Sequence, residues 1–266
     1  MNTQQILAVL ALQNITGIGD ITAKKLISKC GNADEVFKAK RQALLKIDGI
    51  GEQTVKDLHN PVHFKEAEKE LEFIEKHNIN YSYFTDNDYP ERLKHCVDGP
   101  ILFFKKGAIN LNRQRVISIV GTRQVTQHGA AFCEKLIEDL SPLNPVIVSG
   151  FAYGVDICAQ KAALKNNLQT IGCLAHGLNQ VYPSVHKKYV SKIEENGGFI
   201  TDFWSKDKPE RNNFLRRNRI IAGLSEATIV VESAEKGGSL VTADIANSYN
   251  REVFAVPGRP DDKYSA

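Results

Sequence analysis

The sequence predicts an α/β protein: a doubly wound parallel sheet preceded by a small all-α domain. Beyond Arg113, six apolar runs (Val116–Val120, Val146–Val148, Thr170–Leu174, Phe199–Asp202, Thr228–Val231 and Val253–Val256) alternate with amphipathic stretches of helical length. These runs are apolar throughout rather than at every second residue, as expected of parallel strands covered by helices on both faces. Before residue 80 the texture is helical and carries a short internal repeat. A chain of 266 residues, 42% hydrophobic, has room for one large and one small domain at roughly 150 residues per domain. The expected division is 1–80 and 81–266.

The N-terminal domain rests on that repeat. Ile15-Thr-Gly17-Ile-Gly19-Asp-Ile-Thr-Ala-Lys-Lys-Leu26 returns as Ile47-Asp-Gly49-Ile-Gly51-Glu-Gln-Thr-Val-Lys-Asp-Leu58, 32 residues on. Each copy reads as a hairpin followed by a helix. The first glycine frees the backbone, the isoleucine between the glycines tucks inward, and the helix starts at Asp20 or Glu52, acids suited to a helix N-terminus. This is the pattern of paired helix-hairpin-helix units, the SAM-like arrangement. Such a hairpin either presents free N–H groups to a nucleic-acid phosphate or merely joins antiparallel helices in a bundle. Residues 62 to 78 continue as a charged, solvated connecting helix around Leu71, Phe73 and Ile74. From Tyr81 to Gly107 the chain turns aromatic and extended, punctuated by Asp88-Tyr-Pro90 and Asp98-Gly-Pro100, so short strands are expected to join the following domain.

Composition excludes several classes. With 24% charged residues, 12 Phe, 8 Tyr, 19 Gly and 9 Pro, the chain is neither disordered nor of low complexity. No apolar stretch approaches the ~18 residues that argue for a membrane span, and Met1-Asn-Thr-Gln-Gln is no basic leader. The expected compartment is the cytoplasm, with no membrane partner. Five scattered cysteines (Cys30, Cys96, Cys133, Cys158, Cys173) contain no C-x-x-C pair, so neither a disulfide framework nor a zinc site is indicated. His59 and His63 stand at helical spacing, but Pro61 lies between them, and no metal is expected. The net charge of +3 is uninformative about partners, so any anion-binding argument has to be local.

In an open parallel sheet, ligands bind beyond the carboxyl ends of the strands. The residues there are Gly121-Thr122-Arg123 after the first run and Ser149-Gly150-Phe-Ala-Tyr-Gly154-Val-Asp156 after the second, then Ala175-His176-Gly177 after the third. Glu232-Ser-Ala-Glu-Lys236-Gly237-Gly238-Ser239-Leu-Val-Thr242 follows the fifth, and Pro257-Gly258 the sixth. Glycines recur where the backbone must come close to something, with Ser and Thr hydroxyls at helix starts, which suits phosphate. Any single glycine could equally relieve crowding in a tight strand-to-helix turn.

Between the fourth and fifth runs, Arg211-Asn-Asn-Phe214-Leu-Arg216-Arg217-Asn218-Arg219 places four arginines in nine residues without an acid. Forked guanidinium donors beside an aromatic ring suit a single-stranded backbone and its bases. The plain alternative is a solvated face, or pairing with acids elsewhere. Positive charge at a helix N-terminus opposes the macrodipole, which argues against a purely stabilising role. The chain has no G-x-x-x-x-G-K-[ST], no G-x-G-x-x-G and no G-x-S-x-G, and no acid/base pair or nucleophile constellation. It reads as a binder, with no catalytic residues and no cofactor.

These segments resemble a known family. Val120-Gly-Thr-Arg-Gln-Val-Thr-Gln-His-Gly129, Ser149-Gly-Phe-Ala-Tyr-Gly-Val-Asp156, Gly197-Gly-Phe-Ile-Thr-Asp-Phe203, Phe214-Leu-Arg-Arg-Asn-Arg-Ile-Ile-Ala-Gly-Leu-Ser225, Gly238-Ser-Leu-Val-Thr-Ala243 and Arg251-Glu-Val-Phe-Ala-Val-Pro-Gly258 run in the order seen in the DNA-processing protein A (DprA, or Smf) family. The match spans about residues 81 to 258. The resemblance implies a Rossmann-like domain that forms a homodimer, binds single-stranded DNA without sequence preference, protects incoming DNA in natural transformation, and loads RecA recombinase. The family's DNA- and phosphate-binding positions carry over to Gly121, Thr122 and Arg123, to Gly150 and Gly154, and to Arg216, Arg217, Asn218 and Arg219. They also carry over to Lys236, Gly238, Ser239 and Thr242. The sequence departs from the family at His128, where a Tyr is usual, and at Gly237-Gly238-Ser239, where Ser-Gly-Ser is usual. Relatives continue past the Pro-Gly element, sometimes into a winged helix, so the resemblance implies a truncated C-terminal end.

Two other readings are carried alongside. A lysine-decarboxylase-like nucleotide phosphoribohydrolase needs Pro-Gly-Gly-x-Gly-Thr-x-x-Glu, and the nearest stretch, Lys236-Gly-Gly-Ser-Leu-Val-Thr-Ala-Asp244, has Leu240, Val241 and Asp244 at its last Gly, Thr and acid. A nucleotide-sensing module would hold a mononucleotide in the same pocket.

Overall fold

The computed structural model describes residues 2–111 and 115–258. The chain divides into two compact units, Met1–Phe84 with Val97–Leu102, and Thr85–Cys96 with Phe103–Ala266.

The first unit is helical: α1 (Thr3–Gln13), α2 (Asp20–Cys30), α3 (Ala33–Lys38), α4 (Arg41–Leu44), α5 (Glu52–Leu58) and α6 (Val62–Lys76), followed by strand β1 (Asn80–Tyr83). Both Gly-Ile-Gly turns form as the repeat predicts. Gly17 and Gly49 take φ of +88° and +83°, a region that favours glycine, while Ile18 and Ile50 are buried and α2 and α5 start at Asp20 and Glu52. The two hairpins then differ. In the first, the Asp20 carboxylate accepts the Ile101 N–H at 2.7 Å and Lys24 donates to the Val97 carbonyl at 3.3 Å, so its helix start holds the segment Val97–Leu102 within this unit. In the second, Glu52 pairs with Arg41, and Lys25 reaches the Asp48 carboxylate at 3.0 Å.

The second unit carries α7 (Glu91–Lys94), β2 (Leu102–Gly107), β3 (Val116–Val120), α8 (Gln127–Leu140), β4 (Val146–Ser149), α9 (Val155–Lys165), β5 (Thr170–Cys173), α10 (Val190–Glu195), β6 (Gly197–Thr201), α11 (Arg211–Leu224), β7 (Ala227–Val230), α12 (Gly238–Ser248) and β8 (Glu252–Ala255). All six expected apolar runs are strands. Within this unit the strand order is β2-β6-β5-β4-β3-β7-β8; each neighbouring pair from β6 to β8 in this order is parallel, and β2 is antiparallel to β6. Helix α9 packs over β3, β4 and β5 with α8 beside it. Helix α11 packs over the same three strands with α12 beside it, so the sheet is covered on both faces.

Buried Ile119, Ile137, Ile147, Val155, Leu168 and Val231 make one continuous core between the sheet and the α8–α9 pair. Each such side chain contributes about 1.5–3 kcal/mol by its transfer from water. Among the described residues no helix is long and apolar enough to cross a membrane.

Asp20→Ala removes the acceptor of a partly buried backbone N–H. It is expected to cost about 1–3 kcal/mol of stability, read as a lowered urea midpoint at unchanged slope.

Candidate functional site

Strand order reverses at β3, with β4, β5 and β6 on one side and β7 and β8 on the other. Above the carboxyl ends of β3 and β7 lies a cleft of about 570 Å³. Of the expected residues it is lined by Gly121, Thr122, Arg123, Arg217, Asn218, Gly238, Ser239 and Thr242, so three segments separated in sequence meet here. Gly150, Gly154, Arg216, Arg219 and Lys236 are not among its lining residues.

The arginine run is itself helical, forming the first turns of α11 behind the N-cap Glu210. Its arginines fall into two groups. Arg211 and Arg216 are exposed, whereas Arg217 and Arg219 are only 4% and 8% exposed. Arg219 is engaged by the Asp202 carboxylate beyond β6. Arg217 donates through Nη1 to the carbonyls of Gly150, at 2.6 Å, and Cys173, at the ends of β4 and β5. The plain alternative raised by the sequence, pairing within the fold, therefore describes these two, and the macrodipole argument against a structural role does not hold for them. Burial pushes the Arg217 guanidinium below its usual pKa range, opposed by the attraction of the Asp156 carboxylate. Burial likewise pushes the Asp156 carboxyl up, against the pull of Arg217 and of the Ala152 N–H that it accepts.

The glycines also turn out to have protein neighbours. A Cβ on Gly150 would lie 2.4 Å from Arg217 Nη1, and one on Gly154, at φ +75°, would lie 2.1 Å from the Thr122 carbonyl. These two glycines let loops and a buried side chain close on each other. At Gly238 a Cβ would meet nothing within 4 Å, so this position faces open space.

The exposed cations lie at the cleft and on the surface beside it. Arg123 is exposed, its guanidinium carbon 4.8 Å from the centre of the Phe214 ring, and Tyr182 meets the same ring at 5.9 Å. Arg216 lies 5.1 Å over Phe203. Stacking on aromatic rings fixes each guanidinium plane while leaving its N–H edge available. Across the cleft, α12 starts at Gly237 and Gly238 with no side-chain cap. Its neighbour Ser239 is buried and donates to the Ser233 hydroxyl at 2.7 Å, and Thr242 leans on the Gly238 carbonyl. Asn218 donates to the Gly238 carbonyl at 3.3 Å and so ties α11 to that turn. Lys236 is exposed on the same turn. The arrangement offers guanidinium edges, ring faces and uncapped helix N–H groups, the donors that bind phosphates and stack bases.

Sequence reasoning did not single out Asp202, Asp156, Tyr182 or Glu232. Asp202 lies 17 residues from its partner Arg219, on a different element, and no spacing rule connects the two.

The comparisons agree with this architecture. Residues 80–266 match the family model described as DNA recombination-mediator protein A, and residues 9–60 match a SAM-like helix-hairpin-helix tandem. The chain is 32% identical over 259 residues to Protein Smf of Synechocystis sp., covering 95% of this chain and 64% of that one. It thus spans just under two thirds of that relative's length. The X-ray structure of DNA processing protein A from Streptococcus pneumoniae superposes with a TM-score of 0.80 at 30% identity, over 99% of this chain and 90% of that one. The structure of DNA processing protein A from Helicobacter pylori, described for its single-stranded DNA binding mode, superposes with a TM-score of 0.63 at 30% identity, over 70% and 85%.

The division of the arginines predicts a division of effects. Arg219→Ala strips a buried carboxylate of its partner and is expected to cost about 3–5 kcal/mol. Arg123→Ala and Arg216→Ala should stay within about 0.5 kcal/mol of the parent, as surface changes do; urea denaturation reads both. A second expectation concerns pH. His176 is buried, donates from Nδ1 to the Gly177 carbonyl at 2.8 Å, and is held below the usual histidine pKa chiefly by burial. The unfolded chain therefore takes up the proton first. This contribution to stability is complete above pH ~6.5 and is lost as the pH falls below it. The thermal midpoint of the parent should accordingly fall more steeply between pH 7 and 5 than that of His176→Asn.

Proposed function

Because the chain belongs to the DNA recombination-mediator protein A family, we propose that the cleft at the β3–β7 reversal is a seat for single-stranded DNA. Exposed Arg123 and Arg211 meet its phosphates, and the uncapped start of α12 takes another. The faces around Phe214 and Tyr182 receive bases, with Arg216 on the adjoining surface. Such contacts carry no base-edge readout, so binding is insensitive to sequence. The observation that carries the proposal is the stacking of exposed Arg123 on Phe214 in the same cleft as an uncapped helix start.

Nothing in this cleft pairs a nucleophile with a base, and we read the protein as a binder rather than an enzyme. Family membership extends the proposal: the chain acts in the cytoplasm, as a homodimer, protecting incoming strands in transformation and recombination and passing them to RecA recombinase. The H. pylori relative's DNA-binding description supports the first step of this reading.

The test is affinity for single- and double-stranded oligonucleotides of graded length over a range of salt. Single strands should bind more tightly, with affinity rising with length. Arg123→Ala should weaken binding about tenfold for every sequence, and reduce the magnitude of the slope of log K against log salt by about 0.7, the share of one single-strand phosphate. Arg216→Ala should act in the same direction. An unchanged slope in Arg123→Ala would remove Arg123 from the interface.

A further inference from the structure

Parallel strands end on one rim of their sheet. The ends of β3, β4, β5 and β6 form a row there, roughly 14 Å from first to last at about 4.8 Å per neighbour. The cleft stands at the β3 end of this row and reaches Tyr182 and Pro209, which belong to the loops after β5 and β6.

Beyond Tyr182 the surface stays basic. Residues 181–192 hold Lys187, Lys188 and Lys192 and no acid, and all three lysines are exposed. Tyr182 is 39% exposed, and Tyr153, on the loop after β4, is 45% exposed. Exposed rings interleaved with cations offer stacking faces and phosphate partners together.

The segment is pinned to the strand ends. Ser184–Tyr189 forms a 3-10 helix whose buried His186 donates from Nδ1 to the Phe151 carbonyl at 3.1 Å. The same imidazole meets the rings of Phe151 and Tyr153 at 5.2 and 5.3 Å. Just before it, Gln180 donates to the Asp207 carbonyl at 2.8 Å, and that carbonyl also accepts the Gly177 N–H at 3.1 Å, so the loops after β5 and β6 are tied together. Lys188 lies 5.3 Å over the Tyr189 ring.

Neither the helix dipole nor ion pairing accounts for these lysines. The 3-10 turn runs directly into α10, so Lys187 and Lys188 do not serve a free carboxyl end. Among the described residues none of the three has an ion pair, and nearby Glu194 is taken by Lys106 at 3.4 Å.

We propose that a bound strand does not end in the cleft but leaves it over Tyr182 and crosses the 3-10 turn, where Lys187 and Lys188 meet its phosphates and Tyr153 offers a further stacking face. The occupant is a single-stranded polynucleotide: its backbone complements the lysines, and its bases are free to stack, whereas those of a duplex are already stacked on one another. This inference rests on the reading of the cleft as a single-stranded DNA seat, and its test separates the two.

The experiment uses the full chain, a Lys187→Ala, Lys188→Ala double variant, Tyr153→Ser, and oligothymidylates of 3 and 20 nucleotides. Three stacked nucleotides at 3.4 Å each span roughly 10 Å and seat in the cleft alone, whereas twenty run past it. The double variant should bind the short probe within about twofold of the parent. It should bind the long one at least about tenfold more weakly, with the magnitude of the salt slope reduced by about 1.4, two phosphates at 0.7 each. Tyr153→Ser removes a ring and no charge, and should weaken long-probe binding at least about fivefold at unchanged slope. In the parent, the amide resonances of residues 187–189 should shift with the long probe and not with the short one, which carries the test should a variant fail to fold. Unchanged long-probe affinity and slope in the folded double variant overturns the inference and leaves the cleft standing. Equal weakening for both lengths overturns it too, since the lysines would then act on the cleft itself. Long-probe shifts at residues 187–189 with none at Arg123 overturn the cleft reading alone, and a parent that binds neither probe overturns both.

Discussion

A single buried cation organises this sheet edge. Arg217 sits inside the second unit with its Nη1 shared between the carbonyls that end β4 and β5, and Asp156 faces it from α9. Removing a guanidinium from water costs several kcal/mol, so the arrangement stands only because those carbonyls and the carboxylate replace the lost hydration. The consequence is positional. Helix α11 is fastened to the strand ends by its own middle, and the residues one and nearly two turns earlier, Phe214 and Arg211, are carried to the rim of the cleft. Gly150 follows from the same constraint, since any larger residue would collide with both Arg217 and Asp156.

The architecture was legible because it is written in local periodicity. Apolar runs without alternation mark parallel strands, and all six sit where those runs stand. The Gly-Ile-Gly repeat marked both hairpins, since positive φ at Gly17 and Gly49 is a local demand of the turn. The site was legible only as a set of segments. Composition saw four arginines together, but whether each is a ligand contact or a structural cation depends on what lies across space. Arg219 is claimed by Asp202 and Arg217 by two carbonyls, and neither partner has any sequence relation to α11. The glycines at the strand ends were read correctly as places of close approach. What approaches Gly150 and Gly154 is the protein's own backbone and side chains, which a sequence pattern does not distinguish from a bound phosphate.

The sorting of charges explains why a net charge of +3 carried so little information. Buried cations such as Arg219 are neutralised where they stand, and contribute shape rather than attraction. Those at the surface, Arg123 and Arg216, are held over aromatic rings. Stacking restricts the rotation of both side chains, so they are partly ordered as they stand. Exposed charges of this kind are screened over about 10 Å at 0.1 M salt, so each acts on its immediate surroundings rather than through a field of the whole protein.

A buried carboxylate two residues beyond β7 is costly to take out of water, and the balance depends on what it holds. Glu232 is 6% exposed, and its carboxylate is compensated by the Thr126 N–H and hydroxyl and by the start of α8. A group compensated in this way projects little field beyond its own donors. In exchange it joins the end of β7 to the loop after β3, across two neighbouring strands that no crossover helix connects directly. Left unjoined, that loop would have fewer contacts to offset the conformational entropy lost in ordering it. With Glu232 in place, through its main-chain carbonyl at Thr122 and its carboxylate at Thr126, the loop that carries Arg123 is held on both sides of that arginine.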